Sequence, residues 1–300
     1  MRRTDRTAGL DPETDYLEIY RDLGAHEFPW DLNQALSFAL FRTYAVPSIG
    51  RLLDATGQFT GPTQKRYDDT ALLLEAPLVD GLDSPRGRAA IRRINQMHRT
   101  YDISNDDMVY VLSTFVVVPR RWIDAYGYRR LSETEVRASV RYYVELGRRM
   151  GIKDVPDTYD GFAALMDSYE RTHFAYDPGA RRVSDSTLAL LASFYPRPAR
   201  KAVERFSLAV MDDPLLAALR YDAPHPLARR LSHGALRTRG RMVALLPPRR
   251  RPVLVQDSRR QRTYRGGLPP VESMGTFAPG CPVHRPVGTG ADPAGDVRSA

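Results

Sequence analysis

The sequence predicts an all-α protein, a single multi-helix domain with an irregular C-terminal tail. Apolar residues recur at spacings of three and four through most of the chain, no segment alternates with period two long enough to make a strand, and cap residues punctuate the periodic stretches. With 300 residues and 42% hydrophobic content, the chain can bury a substantial core. No internal repeat of fixed period is present.

Taken in order, Met1 to Pro12 reads as a disordered leader. A short helix from Asp15 to Leu23 precedes a break at HEFPWD, where Asp31 can cap a helix from Leu32 to about Tyr44. Pro47 interrupts it, and Ser48 to Ala55 continues on a new axis. After a Gly- and Pro-bearing loop, a helix begins near Thr63 with Arg66, Thr70, Leu73 and Pro77 on one face. The next starts at Ser84 as N-cap and Pro85 as first helical residue. It sets Ile91, Ile94 and His98 on its apolar stripe and Arg88, Arg92 and Arg99 on the opposite face.

Ser104 with Asp107 marks a capping-box-like start for a helix through Val109, Leu112, Phe115 and Val116, which a proline-and-arginine break ends at Pro119 to Arg121. Trp122 and Ile123 continue its apolar surface to Gly127. Ser132 with Glu135 opens a capped helix that closes at Gly151, and Thr158 to Tyr176 is amphipathic. Helices at Ser184 to Tyr195, Pro198 to Met211, Pro214 to Leu219 and an arginine-rich Pro226 to Ala244 follow. The helical domain thus spans residues 13–246. From Pro247 onward prolines and glycines dominate, and 247–300 reads as extended or disordered tail.

Several chemistries are excluded. There is no glycine-rich phosphate loop after a strand, no GxSxG, no HExxH and no paired CxxC. GTGADPAG near Gly288 follows no strand and is no dinucleotide site. Cys281 is the one cysteine, which rules out an internal disulfide or a multi-thiolate metal site. Asp68 with Asp69, and Asp106 with Asp107, are adjacent on helices and point about 100° apart, so neither pair alone makes a two-carboxylate acid–base site. No two histidines lie at i, i+4. His173, four residues after Tyr169, is the only second functional candidate beside His98.

The net charge is +8, carried by arginine with only Lys65, Lys153 and Lys201 as lysines. Much of the excess sits at Arg249, Arg250, Arg251, Arg259, Arg260, Arg262 and Arg265, which reads either as a solvated basic tail or as a peripheral contact with an acidic membrane surface. No nucleic-acid motif accompanies it, so no nucleic-acid partner is expected. No run of about 18 apolar residues occurs, and the N-terminus lacks the apolar stretch of a signal peptide. The expected location is cytoplasmic.

One imidazole on a buried stripe, facing a helix with an arginine and a hydroxyl one turn apart, is the residue set a haem pocket requires; on spacing alone a satisfied core histidine remains open. The blocks FPWDLNQALSFALFRTYAVPSI, KRYDDTALLL, DSPRGRAAIRRINQMH, ISNDDMVYVLSTFVVVPRRWID, MDDPLLAALRY and YRGGLPPVESMGTF, spanning roughly Glu18 to Phe277, decide the matter differently. They resemble the oxygenases related to the mycophenolic acid B protein, which share a catalytic domain with the rubber oxygenases called latex-clearing proteins. The resemblance implies an all-α fold enclosing one haem b, with His98 as iron ligand and Arg66 and Thr70 on the other side. Arg66 would hold or polarise oxygen or pair with a propionate, and Thr70 would offer a hydrogen bond beside it. The implied reaction is O₂-dependent cleavage of a carbon–carbon double bond in an apolar, isoprenoid or terpenoid substrate, with Leu73, Leu74, Phe115 and Trp122 as channel candidates. The sequence departs from the rubber oxygenases at Asp69, where they carry a lysine able to occupy the distal iron site, so a lysine-capped closed state is not expected. A haem protein that senses or carries, or a haem-free helical interaction module, are the alternatives that resemblance alone leaves open. Oligomeric state is not legible.

Overall fold

The computed structural model describes residues 6–59 and 61–276. Cys281, the glycine-rich stretch near Gly288, the far end of the tail and the first five residues of the leader lie outside the described residues. Among the described residues, all regular structure is helical.

Twelve α-helices follow in order: α1 Tyr16–Asp22, α2 Pro29–Tyr44, α3 Pro47–Ala55, α4 Thr63–Val79, α5 Pro85–His98, α6 Asn105–Tyr126, α7 Glu133–Met150, α8 Tyr159–His173, α9 Pro178–Ser193, α10 Arg200–Val210, α11 Asp213–Ala218 and α12 Pro226–Ala244. A π-turn at Leu23–Glu27 joins α1 to α2, filling the predicted break. The central helix α6 packs along α2 and α8; α1 lies on α7, α3 on α9, α4 on α5, and α10 on both α9 and α12. No described helix is long and apolar enough to cross a membrane.

Two apolar clusters result. The larger includes Phe28, Phe41, Tyr44, Tyr110, Trp122 and Phe162. The smaller lies between α4, α5 and the chain beyond Pro270, with Leu72, Leu73, Ile94, Met97, Val271 and Met274 buried in it.

The local chemistry explains most helix starts. Ser84 accepts from the Gly87 N–H at 2.9 Å, and a Cβ on Gly87 would sit 2.0 Å from the Gly81 carbonyl oxygen, so only glycine lets the loop close onto this first turn. Ser132 and Glu135 form the full capping box. At α6 only half of the expected box forms: Ser104 accepts from the Asp107 N–H, while the Asp107 carboxylate accepts from Ser48 and Tyr169 hydroxyls, both at 2.9 Å.

Three helix boundaries differ from the sequence expectation. Helix α2 starts at Pro29, using proline at its first position, and Asp31 caps nothing. Its carboxylate is 2% exposed and takes both oxygens' bonds from Arg239 of α12, at 2.6 and 2.7 Å, with the Trp122 indole N–H donating at 3.3 Å. Pro119 does not break α6, which runs on to Tyr126. Proline deletes one N–H bond, but α6 is buried by neighbours along its length, and that packing outweighs one lost bond. Helix α9 starts six residues before Ser184 because Asp177 accepts from the Gly179 and Ala180 N–H groups, an N-cap ahead of Pro178.

Residues 247–276 form irregular chain with one 3₁₀ turn, Val271–Ser273. This chain is laid back over α2, α4, α5 and α9. Arg260 donates to Asn33 and Arg262 to the Ser193 carbonyl, and both guanidinium groups stack over Phe194. Arg249 donates to the His26 carbonyl. These arginines of the basic cluster serve the fold.

The Asp31 pair carries a testable consequence. Asp31→Ala leaves Arg239 and the Trp122 indole without their acceptor, and urea unfolding should show a loss of roughly 3 kcal/mol. An unchanged midpoint would mean that α12 is held by its apolar contacts alone.

Candidate functional site

Arg66, Thr70 and His98 come together where α4 meets α5. Arg66 and Thr70 are one turn apart on α4; the Thr70 hydroxyl donates to the Arg66 carbonyl at 2.7 Å and accepts from the Arg66 guanidinium. This ties the arginine side chain along its own helix. The guanidinium also lies over the Phe59 ring, 5.3 Å from its centroid. Among the described residues it pairs with no carboxylate, and burial pulls its pKa below the ordinary arginine value.

His98 is the last residue of α5. Its Nδ1 is buried and has no hydrogen-bond partner among the described residues. Burial first, and the nearby positive charge of Arg66 second, push its pKa down to about 4, so the imidazole is neutral at pH 7. The arginines assigned to the opposite face, Arg88, Arg92 and Arg99, are all exposed.

Tyr44, Phe59 and Tyr101 complete the surroundings of Arg66, none of them singled out by the sequence pattern. Tyr44 is fully buried, packs edge-on against Phe59 at 5.7 Å, and its hydroxyl accepts from Thr187 at 3.4 Å. Burial pushes its pKa up to about 12. Tyr101 follows α5 closely enough for its charge state to couple to Arg66. Tyr44 reaches the site from α2 through tertiary packing, while Phe59 and Tyr101 flank α4 and α5 in irregular chain, where no spacing rule marks them.

The acids of α4 have a different task. Asp68 and Asp69, each 1% exposed, hold the C-terminal chain. Asp68 accepts from the N–H groups of Arg262 and Thr263 at 3.1 and 3.0 Å and from the Thr263 hydroxyl at 2.6 Å. Asp69 accepts from Lys65, from the Tyr264 hydroxyl and from the Gly275 N–H at 2.9 Å. Asp69 therefore takes its hydrogen bonds from Lys65 and from the chain that closes over α4, while its charge still acts on nearby Arg66. Two helical turns on from Asp68, Glu75 accepts from the Val255 and Gln256 N–H groups.

On α5, Arg93 donates to the Met274 carbonyl at 2.7 Å and to that of Thr276. Gly275 has a left-handed φ of +81°, and a Cβ there would lie 2.2 Å from the Met97 sulfur, one residue before His98. The signal for this clasp was the i, i+7 spacing of Asp68 and Glu75, with Asp69 beside it.

The remaining candidates lie elsewhere. Leu73 is buried in the small cluster beside the site, and Leu74 packs against it. Phe115 and Trp122 belong to the larger core, Trp122 stacked on Phe38 and bonded to Asp31. His173 is exposed, stacked on Tyr169 with centroids 3.9 Å apart, its Nδ1 within 3.0 Å of the Tyr169 carbonyl oxygen.

The depressed His98 pKa makes stability depend on pH. In the unfolded chain the imidazole titrates near 6.5, in the folded cofactor-free protein near 4. Its contribution is complete above pH 6.5 and is lost as pH falls toward 4, because only the unfolded state takes the proton. Between about pH 7.5 and about pH 5, urea unfolding of the parent should lose about 2 kcal/mol that His98→Gln does not lose. Parallel profiles for the two proteins would show that His98 does not titrate as a buried neutral group.

A family model described as "ER-bound oxygenase mpaB/B'/Rubber oxygenase, catalytic domain" matches residues 32–271. ER-bound oxygenase mpaB' of Penicillium brevicompactum is 30% identical over 262 residues, covering 81% of this chain and 62% of that protein. ER-bound oxygenase mpaB of Penicillium roqueforti (strain FM164) is 31% identical over 222 residues, 68% of this chain and 74% of that protein. The chain thus spans less than two thirds of the length of mpaB'. Latex clearing protein LCP in the closed state superposes with a TM-score of 0.49 and 17% identity, over 84% of this chain and 72% of that chain. The match over residues 32–271 makes this chain a member of the mpaB/B' and rubber oxygenase catalytic-domain family.

Proposed function

We propose that the protein is a haem b-dependent oxygenase that uses O₂ to cleave a carbon–carbon double bond in an apolar isoprenoid or terpenoid substrate, one oxygen atom passing into each carbonyl product. The observation that carries this reading is the juxtaposition on α4 and α5. A half-buried, neutral imidazole, His98, whose buried Nδ1 has no hydrogen-bond partner among the described residues, lies within electrostatic reach of a half-buried arginine with no carboxylate partner among them. A neutral imidazole is the ligating form of histidine, and a cation without an ion-pair partner is what a propionate or an oxygen-derived anion requires. The donor set therefore fits a haem held by one protein ligand. The family's curated relatives, named oxygenases, support the same reading.

Haem b supplies, when bound, a redox-active iron able to activate dioxygen. The chain's own residues do the rest. His98 offers a lone pair to the iron at neutral pH without first losing a proton. Arg66 presents fixed positive charge, oriented by Thr70 and Phe59 so that little reorganisation accompanies the appearance of negative charge. Thr70 adds a hydroxyl beside it. Leu72, Leu73 and Ile94 keep this end of the helix pair apolar, which excludes water and suits a hydrocarbon substrate.

The test is a visible spectrum followed by turnover. The parent, expressed with ample haem, should show a Soret band that collapses or shifts in His98→Ala. Arg66→Ala should keep the band while O₂-dependent formation of carbonyl products from an isoprenoid alkene falls roughly a hundredfold. Absence of a Soret band after haem reconstitution would sink the cofactor assignment. A band with reversible O₂ or CO binding but no alkene turnover would point to a carrier or sensor instead.

A further inference from the structure

We propose that the outer face of α12 docks on an anionic lipid surface. The helix is fixed to the body by its inner face only. Ser232, Leu236 and Gly240, spaced four apart, are buried, and a Cβ on Gly240 would lie 2.5 Å from the Tyr126 carbonyl oxygen. Leu227, Leu231 and Met242 fall on the opposite side, four and eleven residues apart, with exposures of 56%, 64% and 62%. Leu245, just past the helix end, is 87% exposed. Four large aliphatic side chains standing in water along one line are a patch that calls for a partner.

The charge beside that line identifies the partner. Arg230, Arg237 and Arg241, seven and four residues apart, form an adjacent stripe, and all three are exposed. Among the described residues none of them pairs with a carboxylate; nor do Arg250 and Arg251. The chain carries no Asp or Glu from Ala223 to Gln256. At the start of α12 an open groove of about 520 Å³ is lined by Pro224, Pro226, Arg229, Arg230, His233 and Arg237, a seat for a phosphate-bearing headgroup. Apolar side chains entering the acyl boundary with arginines at headgroup level are the pattern of an interfacial amphipathic helix.

Other occupants fit less well. Nucleic acid would use the arginines and leave the leucines in water, and the stripe holds no aromatic ring on which a base could stack. A second copy would bring its own arginines against these. The basic cluster that the sequence placed in the tail is partly committed to the body through Arg249, Arg260 and Arg262, so the lipid-facing charge moves from the tail to α12.

Flotation of the full chain with vesicles tests this. Phosphatidylcholine vesicles containing about 30% phosphatidylserine should bind roughly tenfold or more tighter than phosphatidylcholine alone, and binding should fade between about 0.1 M and about 0.5 M salt. Leu231→Glu with Met242→Glu, and separately Arg230→Glu with Arg237→Glu and Arg241→Glu, should each cut binding roughly tenfold at unchanged melting temperature. The same charge reversal at Arg88, Arg92 and Arg99 on α5 should leave it intact. Equal loss from the α5 variant would reduce the effect to net charge and overturn the proposal, as would retained binding in both α12 variants. Duplex DNA binding insensitive to the Leu231 and Met242 changes would assign the face to nucleic acid, and a dimer dissolved by Leu231→Glu would assign it to a second copy.

Discussion

Two adjacent carboxylates on α4, Asp68 and Asp69, are almost wholly removed from water, and every other feature of the α4–α5 region depends on how they are satisfied. A buried carboxylate costs several kcal/mol unless donors surround it. The donors come from residues 262–264 and Gly275, nearly two hundred positions away, together with Lys65 on α4 itself. The C-terminal chain is thereby part of the fold. It closes one side of α4, while Arg93 and Met97 bring it onto α5 immediately before His98. The helix pair, the histidine at its end and the closing chain form one cooperative unit.

That arrangement gives the acids and the arginine of α4 different partners. Asp68, Asp69 and Glu75 take donors from the closing chain, with Gln64 and Lys65 of α4 adding to those of Asp68 and Asp69. Arg66 donates to the Thr70 hydroxyl and lies over the Phe59 ring. The charge of Asp69 favours the Arg66 cation, but among the described residues Arg66 forms no direct ion pair; burial first, and the Arg66 charge second, hold His98 neutral. Asp68 and Glu75 lie across α4 from Arg66, while Asp69, three residues on, shares its side but is bonded to Lys65, Tyr264 and Gly275.

The arginines, which dominate the basic charge of the chain, sort in the same way. Arg239 locks α12 to Asp31, Arg42 bridges Glu170 and Asp212, and Arg260 and Arg262 stack on Phe194. Guanidinium groups that meet carboxylates or rings become part of the packing. Those on the outer side of α12 meet neither, and they stand beside exposed leucines. The proposed cleavage of a hydrocarbon and the proposed docking of α12 on a lipid surface are compatible demands on one molecule, since an apolar substrate partitions into membranes.

The all-α class was legible in the sequence because 3.6-residue periodicity and caps are local properties: Ser84 with Pro85, Ser104 and Ser132 with Glu135 each act within one turn. The pairing of Arg66 with Thr70, and the position of His98 on the buried stripe of α5, were legible for the same reason. Where a residue's partner lies far along the chain, local signals misled. Asp31 looks like a cap and is instead claimed by Arg239 and Trp122; Pro119 looks like a stop and is carried through by packing on both sides; Asp68 and Asp69 show only as adjacent acids about 100° apart, with no local sign of the tail that buries them. Periodicity fixes which face of a helix is apolar, but what covers that face, and whether a charge on it is neutralised, is decided only when distant segments meet. The sequence by itself determined the helices and the three residues of the candidate site. Only the tertiary structure decided that Arg66 forms no ion pair among the described residues and that His98 is neutral, since both follow from burial and from the charges that surround them in space.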